Sequence, residues 1–161
     1  MKKVVDINEA IKIARRIRRK KERIILTGGC FDILHIGHIK FLGAAKELGE
    51  RVFVLLESDE KVKKLKGNNR PIFTQKDRAE TLSSLKDADI IVNLPNFSSD
   101  YDYQSLIEEI KPDIIAVTEN DPIIFKKRNY AEKIGAQLKA IPYVKSLSSS
   151  KLAEILSKEH I

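Results

Sequence analysis

Apolar residues recur at three- and four-residue spacing at Ile7, Ala10, Ile11, Ala14 and Ile17, which predicts an amphipathic helix with its basic residues on the other faces. The next apolar run, Ile24 to Thr27, is short and continuous and closes on Gly28-Gly29, so it reads as a buried strand ending in a turn. From His38 to Leu48 the helical period returns at Ile39, Phe41, Leu42, Ala45 and Leu48, with Gly49 as a C-cap. Val52 to Leu56 is a strand, and Asp59 is expected to cap a short helix reaching about Leu65. Lys66 to Pro71 is polar and turn-rich, a surface loop, and Gln75 to Leu85 is helical. Ile90 to Val92 is a strand, and Ser105 to Ile110 is a helix stopped at Lys111-Pro112, because a residue before proline disfavours helix. Ile114 to Val117 is a strand, Phe125 to Ile134 a helix ended by Gly135, Gln137 to Ile141 a strand, and Ser148 to Leu156 a closing helix.

Five short apolar strands alternating with helices argue for one doubly wound α/β domain over residues 1–161, a parallel sheet covered on both faces. In such sheets ligands bind outside the carboxyl ends of the strands, where the strand order reverses. The first strand-to-helix connection is therefore where chemistry is expected.

Length and composition narrow the classes. A chain of 161 residues with 42% hydrophobic and 33% charged residues has the balance of a single globular domain rather than a disordered or membrane protein. The opening Met1-Lys2-Lys3-Val4-Val5-Asp6 has no apolar core of a leader, no run is long enough to span a bilayer, and a lone Cys30 permits no intrachain disulfide. The expected location is the cytoplasm. The formal charge of +7 invites a nucleic-acid reading, but seven basic residues and one acid lie between Arg15 and Arg23, leaving the rest nearly neutral. A nucleic-acid-binding module built on that run is the alternative of another class; aromatic residues are only 6% with no Trp, so stacking platforms are scarce.

The connection reads Gly28-Gly29-Cys30-Phe31-Asp32-Ile33-Leu34-His35-Ile36-Gly37-His38. Two glycines after a strand let the backbone turn and approach a ligand closely, and the helix that follows offers free N–H groups and a positive dipole end to a phosphate. His35 and His38, three apart, share one face of that helix start, with Gly37 leaving room between them. Two imidazoles there can donate to phosphate oxygens as negative charge grows on them. A zinc site from Cys30, His35 and His38 uses the right ligand types but lacks a fourth, His160 being the only other histidine.

This loop resembles the signature of the cytidylyltransferase-like nucleotidyltransferases. Ala45-Lys46-Glu47-Leu48-Gly49, Ser58-Asp59, Lys66-Gly67-Asn68-Asn69-Arg70-Pro71, Asp77-Arg78 and Ser148-Ser149-Ser150-Lys151 fall in that family's order, so the resemblance covers nearly the whole chain. It implies a Rossmann-like nucleotidyltransferase fold. Nucleotide binding would fall to Gly28, Gly29, Cys30, Phe31, Asp32 and Gly37, and phosphate stabilisation to His35 and His38. Lys46 resembles a family lysine that approaches the phosphates, and Arg78 an arginine facing the active-site end. Ser148, Ser149 and Ser150 stand where the family grips the β and γ phosphates, a role that hydroxyls and free N–H groups at a helix start suit on physical grounds.

Ile141-Pro142-Tyr143-Val144 is similar to the heptose-phosphate adenylyltransferase branch of the family, which implies ATP as donor and a sugar phosphate such as heptose 1-phosphate as acceptor. Glycerol-3-phosphate cytidylyl transfer from CTP and adenylyl transfer to flavin mononucleotide are the alternatives. Mg²⁺ is expected to accompany the nucleotide, and a homodimer is expected from relatives. Two segments depart from the branch. Glu119-Asn120-Asp121 keeps Asp121 but replaces the family's glycines, and Pro122 to Arg128 is also unlike the heptose pattern.

Overall fold

A computed structural model describes residues 3–158. The first two residues, part of the leader argument, and His160, part of the zinc alternative, lie outside the described residues. The chain runs β1 (Val4–Val5), α1 (Ile7–Arg19), β2 (Ile24–Gly29), α2 (Ile36–Glu47), β3 (Arg51–Leu56), α3 (Asp59–Lys66) and α4 (Gln75–Ser83). It continues through β4 (Ile90–Asn93), α5 (Asp100–Ile110), β5 (Ile114–Thr118), α6 (Ile124–Ile134), β6 (Gln137–Ile141) and α7 (Ser149–Lys158). The strands form one parallel sheet in the order β1-β4-β3-β2-β5-β6.

The expected parallel α/β architecture is present, with six strands rather than five. The addition is β1, whose Val4 and Val5 pair with Ile91 and Val92 of β4. Two apolar residues ahead of a helix carry no period of their own; the open edge of β4 makes them a strand. α5 begins five residues before Ser105, because Ser99 and Asp102 form a reciprocal cap around a polar first turn that shows no apolar stripe. Ser58, not Asp59, caps α3, its hydroxyl accepting the Lys61 N–H at 3.1 Å. The expected stops hold at the next two helices: Lys111 closes α5 in a left-handed conformation before Pro112, and Gly135 does the same for α6.

The core lies in two layers. α1, α5 and α6 cover one face through Ile13, Ile17, Leu106, Ile110 and Ala131, and α2 and α4 cover the other through Leu42, Ala45, Ala79 and Leu82. Each fully buried Leu or Ile contributes about 1.5–3 kcal/mol relative to exposure. Part of the basic run serves this packing: Arg15 pairs with Glu109 at 3.0 Å and Arg18 donates to the Ile110 carbonyl, tying α1 to α5.

Two glycines differ from expectation. Gly28-Gly29 is not a turn but the end of β2, in register with Leu55 and Leu56 of β3. Gly49 is not the C-cap of α2, which Leu48 supplies; it lets the chain pass the start of β2, where a Cβ would lie 2.3 Å from Ile25 Cδ1. β2 pairs with β5 only at Ile25–Ile114 and Leu26–Ile115. Beyond Leu26 the two strands part, and the crevice between them sits where the strand order reverses.

Candidate active site

His35 is the N-cap of α2, and its Nδ1 accepts the Gly37 N–H at 3.1 Å. His38, in the third helical position, accepts the His35 N–H at its own Nδ1 at 3.3 Å. The pair thus completes the reciprocal cap that Ser and Glu form elsewhere. Because each Nδ1 is an acceptor, each neutral ring carries its proton on Nε2 and can donate it outward. The ring centroids are 3.9 Å apart. Burial, and then the neighbouring His35, bring His38 down to a pKa of about 4, and burial lowers His35 as well. Both imidazoles are therefore neutral donors at pH 7.

Neighbouring residues fix this pair. The Phe31 ring lies 5.2 Å from that of His38 and packs against Gly29, where a Cβ would stand 3.1 Å from it. Phe31 has φ +44°, a left-handed conformation that a bulky residue adopts only under constraint from its surroundings. Asp32 is buried and turned away from the crevice: it accepts Arg70 Nε at 2.6 Å and the N–H groups of Ile72 and Phe73. The fully buried Arg78 side chain donates to the carbonyls of Phe73, Cys30 and Glu57 and to Asp59, joining three loops behind the site.

A cavity of about 340 Å³ occupies the crevice. Its walls include Thr27 to Gly29, Phe31, His35, Gly37 and His38 on one side, and Val117, Thr118, Asp121 and Pro142 to Val144 on another. Ser148, Ser149 and Ser150 at the start of α7 close it, so the N-termini of two helices meet one space. Ser146 stands 3.3 Å from His35 Nδ1, and Arg70 reaches the hydroxyls of Ser149 and Ser150 at 3.4 and 3.3 Å. A second cavity of about 550 Å³ shares Thr27, Gly28, Gly29, Lys66, Asp121 and Lys127 with the first and extends toward α5 and α6.

Of the residues singled out in the sequence, Gly28, Gly29, Phe31, His35, Gly37, His38, Asp121 and Ser148 to Ser150 line the first cavity. Cys30 lines only the second, with burial raising its thiol pKa. Asp32 and Arg78 stand behind the site as supports. Lys46 lies elsewhere: eleven residues after His35 on α2, about 16 Å at 1.5 Å per residue, it bonds the Glu50 carbonyl and Asp89, each at 2.6 Å. The lysines beside the crevice are Lys66, the last residue of α3, and Lys127, which pairs with Asp121 at 2.6 Å. The surface-loop reading holds for residues 66–69, which are exposed, and misses Arg70, which Asp32 draws inward. Among the described residues no three His, Cys, Asp or Glu side chains are grouped to hold a metal.

The family model described as cytidylyltransferase-like matches residues 26–155, the span from β2 into α7. The chain belongs to the cytidylyltransferase-like family. The chain is 37% identical over 155 residues to the bifunctional protein HldE of Koribacter versatilis (strain Ellin345), covering 94% of this chain and 31% of that protein. It is 40% identical over 152 residues to the bifunctional protein HldE of a Nitratiruptor species, with the same shares. The chain thus spans about a third of the length of these relatives. It is also 37% identical over 144 residues to the FAD synthase of Thermococcus sibiricus (strain DSM 12597 / MM 739), covering 87% of this chain and 94% of that one. Among solved structures, the lipopolysaccharide core biosynthesis protein of Thermoplasma volcanium GSS1 aligns with a TM-score of 0.61 at 28% identity, over 78% of this chain and 98% of its own. Pantoate-beta-alanine ligase of Francisella tularensis aligns with the same TM-score over 97% of this chain and 79% of its own, and at 16% identity it shows the fold alone. No helix among the described residues is long and apolar enough to cross a membrane.

Proposed function

We propose that this nucleotidyltransferase moves the AMP moiety of ATP onto the phosphate of a small phosphorylated acceptor and releases pyrophosphate. One observation carries the reading: two helix N-termini, one bearing His35 and His38 and the other Ser148 to Ser150, converge on a single cavity beside the Gly28-Gly29 backbone. Such an arrangement suits a chain of phosphates, because N–H groups, hydroxyls and two helix dipoles all favour negative charge in the same place.

In this reading an oxygen of the acceptor phosphate attacks the α-phosphorus, and the bond to the β-phosphate oxygen breaks. A phosphate dianion needs no general base, so positioning and electrostatics supply the rate. The Nε2–H groups of His35 and His38 donate to the α-phosphate oxygens as charge accumulates there. Their Nδ1 caps hold the donors still before the reaction, which removes the need to reorient them in the transition state. Ser148 to Ser150 hold the β and γ phosphates, and Arg78 keeps the loops of Cys30, Glu57 and Phe73 in place behind them. Mg²⁺ bound with the nucleotide would neutralise triphosphate charge. Asp121, which lines both cavities and pairs with Lys127, would be the carboxylate to hold it, and an ion held mostly by substrate phosphates and water needs no larger protein cage.

The Ile141 to Val144 ending supports a sugar phosphate such as heptose 1-phosphate as acceptor. Near full-length coverage of a FAD synthase supports flavin mononucleotide as the second reading. A pyrophosphate-release screen of ATP and CTP against heptose 1-phosphate, glycerol 3-phosphate and flavin mononucleotide tests the proposal. Release that requires ATP and one of these acceptors is the expected result. Release with CTP and glycerol 3-phosphate alone overturns the adenylyl reading.

A further inference from the structure

Thr118 and Ile141 are the last paired residues of β5 and β6, and the Glu119 N–H extends the ladder by one bond to the Ile141 carbonyl at 3.0 Å. Pro142 then ends it, because proline has no N–H to donate. On the β5 side the chain folds back at the same point. The Asp121 N–H reaches the Thr118 carbonyl at 3.0 Å, which makes Glu119 and Asn120 the middle of a tight turn. Neither residue has a positive φ, so the turn does not need the glycines that the family pattern carries here. The position is open to a side chain with another task.

The Glu119 carboxylate continues the attachment where the ladder stops: its Oε1 accepts the Tyr143 N–H at 3.0 Å. Residues 142–147 belong to no strand or helix, and Pro142, Tyr143 and Val144 wall the first cavity. Among the described residues two hydrogen bonds hold this segment, Tyr143 to Glu119 and Ser146 to His35. Packing adds little, since Tyr143 and Leu147 are 47% and 54% exposed. One tether therefore fixes the segment beside His35 and the other fixes it at Tyr143. A carboxylate accepting an N–H makes the stronger kind of hydrogen bond. Glu119 itself does not line the cavity. With the phosphates assigned to the starts of α2 and α7, the apolar wall of Val117, Pro142, Tyr143 and Val144 is the part of this space suited to the face of a base.

We infer that Glu119 is a positioning residue for the donor nucleotide: through Tyr143 its carboxylate fixes the Pro142-Tyr143-Val144 wall on which the adenine packs. The inference rests on the proposed function in one respect, that the first cavity holds ATP. Its physical basis is preorganisation. A segment with two tethers is already ordered when the nucleotide enters, so binding does not have to order it. With one tether the ordering entropy returns, and it weakens the contacts at the base end. The helix starts hold the triphosphate in either case. A one-ring base reaches this wall less than a two-ring base and has less to lose.

The test compares Glu119→Ala and Glu119→Gln in the full chain by calorimetry with non-hydrolysable analogues of ATP and CTP. Glu119→Ala is expected to raise the Kd of the ATP analogue by about tenfold and that of the CTP analogue by less than about threefold, a contrast that a general loss of stability does not produce. Glu119→Gln keeps an oxygen that can accept the Tyr143 N–H, so both of its Kd values should stay within about threefold of wild type. Unfolding midpoints should be alike in all three proteins, because Glu119 is exposed. In turnover the KM for ATP should rise in Glu119→Ala while kcat and the KM for the acceptor stay unchanged. Wild-type affinity in Glu119→Ala overturns the inference, and so does an equal loss for both analogues, which would put the effect at the phosphates. Equal weakening in the Gln and Ala variants overturns it too, since charge rather than the bond to Tyr143 would then be responsible. If neither analogue binds the wild type, the inference and the proposed function fall together. The expected Kd pattern without pyrophosphate release from any nucleotide and acceptor overturns the transfer reading and leaves the positioning role standing.

Discussion

Arg70 Nε lies 2.6 Å from Asp32 Oδ2, and both side chains are buried. The same guanidinium reaches Ser149 and Ser150, so one ion pair links the loop before α2, the loop before α4 and the start of α7. Arg70→Met leaves Asp32 charged without its partner. It is expected to destabilise the fold by about 3–5 kcal/mol, the usual cost of breaking a buried pair from one side. Urea unfolding measures that loss, and the KM for ATP should rise because the α7 serines lose their tether. Burial pushes the Asp32 carboxyl up, but the N–H groups of Phe73 and Ile72 and then Arg70 outweigh it and hold the pKa below its ordinary value. Its contribution is therefore complete above about pH 4 and disappears as acid protonates the folded form at still lower pH. Equal stability of variant and wild type at neutral pH would show that the pair does not organise the site.

In the proposed reaction His35 and His38 act through Nε2–H groups, with each Nδ1 held in a cap contact. Replacing either by Ala is expected to cut turnover by on the order of 10²–10³, the scale of one lost transition-state donor. Each change also removes one cap contact from α2, a stability loss of about 1 kcal/mol. Thermal unfolding followed by circular dichroism separates the two effects. Turnover near wild type in both variants would remove the histidines from the mechanism.

The pH dependence follows from the same geometry. His38 titrates near 4 in the folded protein because burial, and then His35, disfavour its charged form, whereas an unfolded histidine titrates near 6.5. The unfolded chain therefore binds the proton first as acid is added. The contribution to stability is intact above about pH 6.5 and erodes toward pH 4. Proton NMR of the imidazole C–H resonances should give an inflection for His38 well below 6, and turnover should show no inflection at 6.5. A midpoint at 6.5 would mean that the ring is solvated and its Nδ1 cap open.

The strands β2 to β6 and the bodies of the helices were legible because their apolar positions follow clear patterns, whereas β1 and the polar first turn of α5 carry none, and the switch-point crevice followed from the alternation. The candidate loop was legible too through the local His35–His38 spacing, although Gly28-Gly29 ends β2 rather than turning. Residues whose role depends on a distant partner were not. Lys66 is exposed at the end of α3, and Arg70 alone in the polar stretch that follows is buried, held by Asp32, 38 residues away in sequence. Lys46 has the charge and approximate position of a phosphate ligand, but the helix carries it away from the cavity to Asp89. Lys46→Met should therefore leave the KM for ATP within about twofold and cost at most about 1 kcal/mol, since its ion pair is only partly buried. A large KM increase in steady-state kinetics would place its ammonium near the phosphates after all.

Two glycines at opposite ends of α2, Gly37 in its first turn and Gly49 just beyond its C-cap, offer a sharper separation of stability from activity. At Gly37 a Cβ would lie 2.8 Å from His35 Cε1 and 2.9 Å from Ser146 Oγ, both side-chain atoms of the site. Those groups can move, and alanine favours the helix over glycine by about 1 kcal/mol. Gly37→Ala is thus expected to keep or slightly raise the unfolding midpoint while lowering turnover at least tenfold, because the His35 donor is displaced from its position. At Gly49 the same added atom meets Ile25 Cδ1 at 2.3 Å and Arg23 Cβ at 3.1 Å, where β2 begins and Ile25 is fully buried. Gly49→Ala should lose about 1–3 kcal/mol through overpacking and leave turnover per folded molecule unchanged. Denaturant melts and pyrophosphate release measured on both variants give the comparison. If Gly37→Ala unfolds the protein while Gly49→Ala impairs only catalysis, the assignment of the α2 start to chemistry and of its end to packing is reversed.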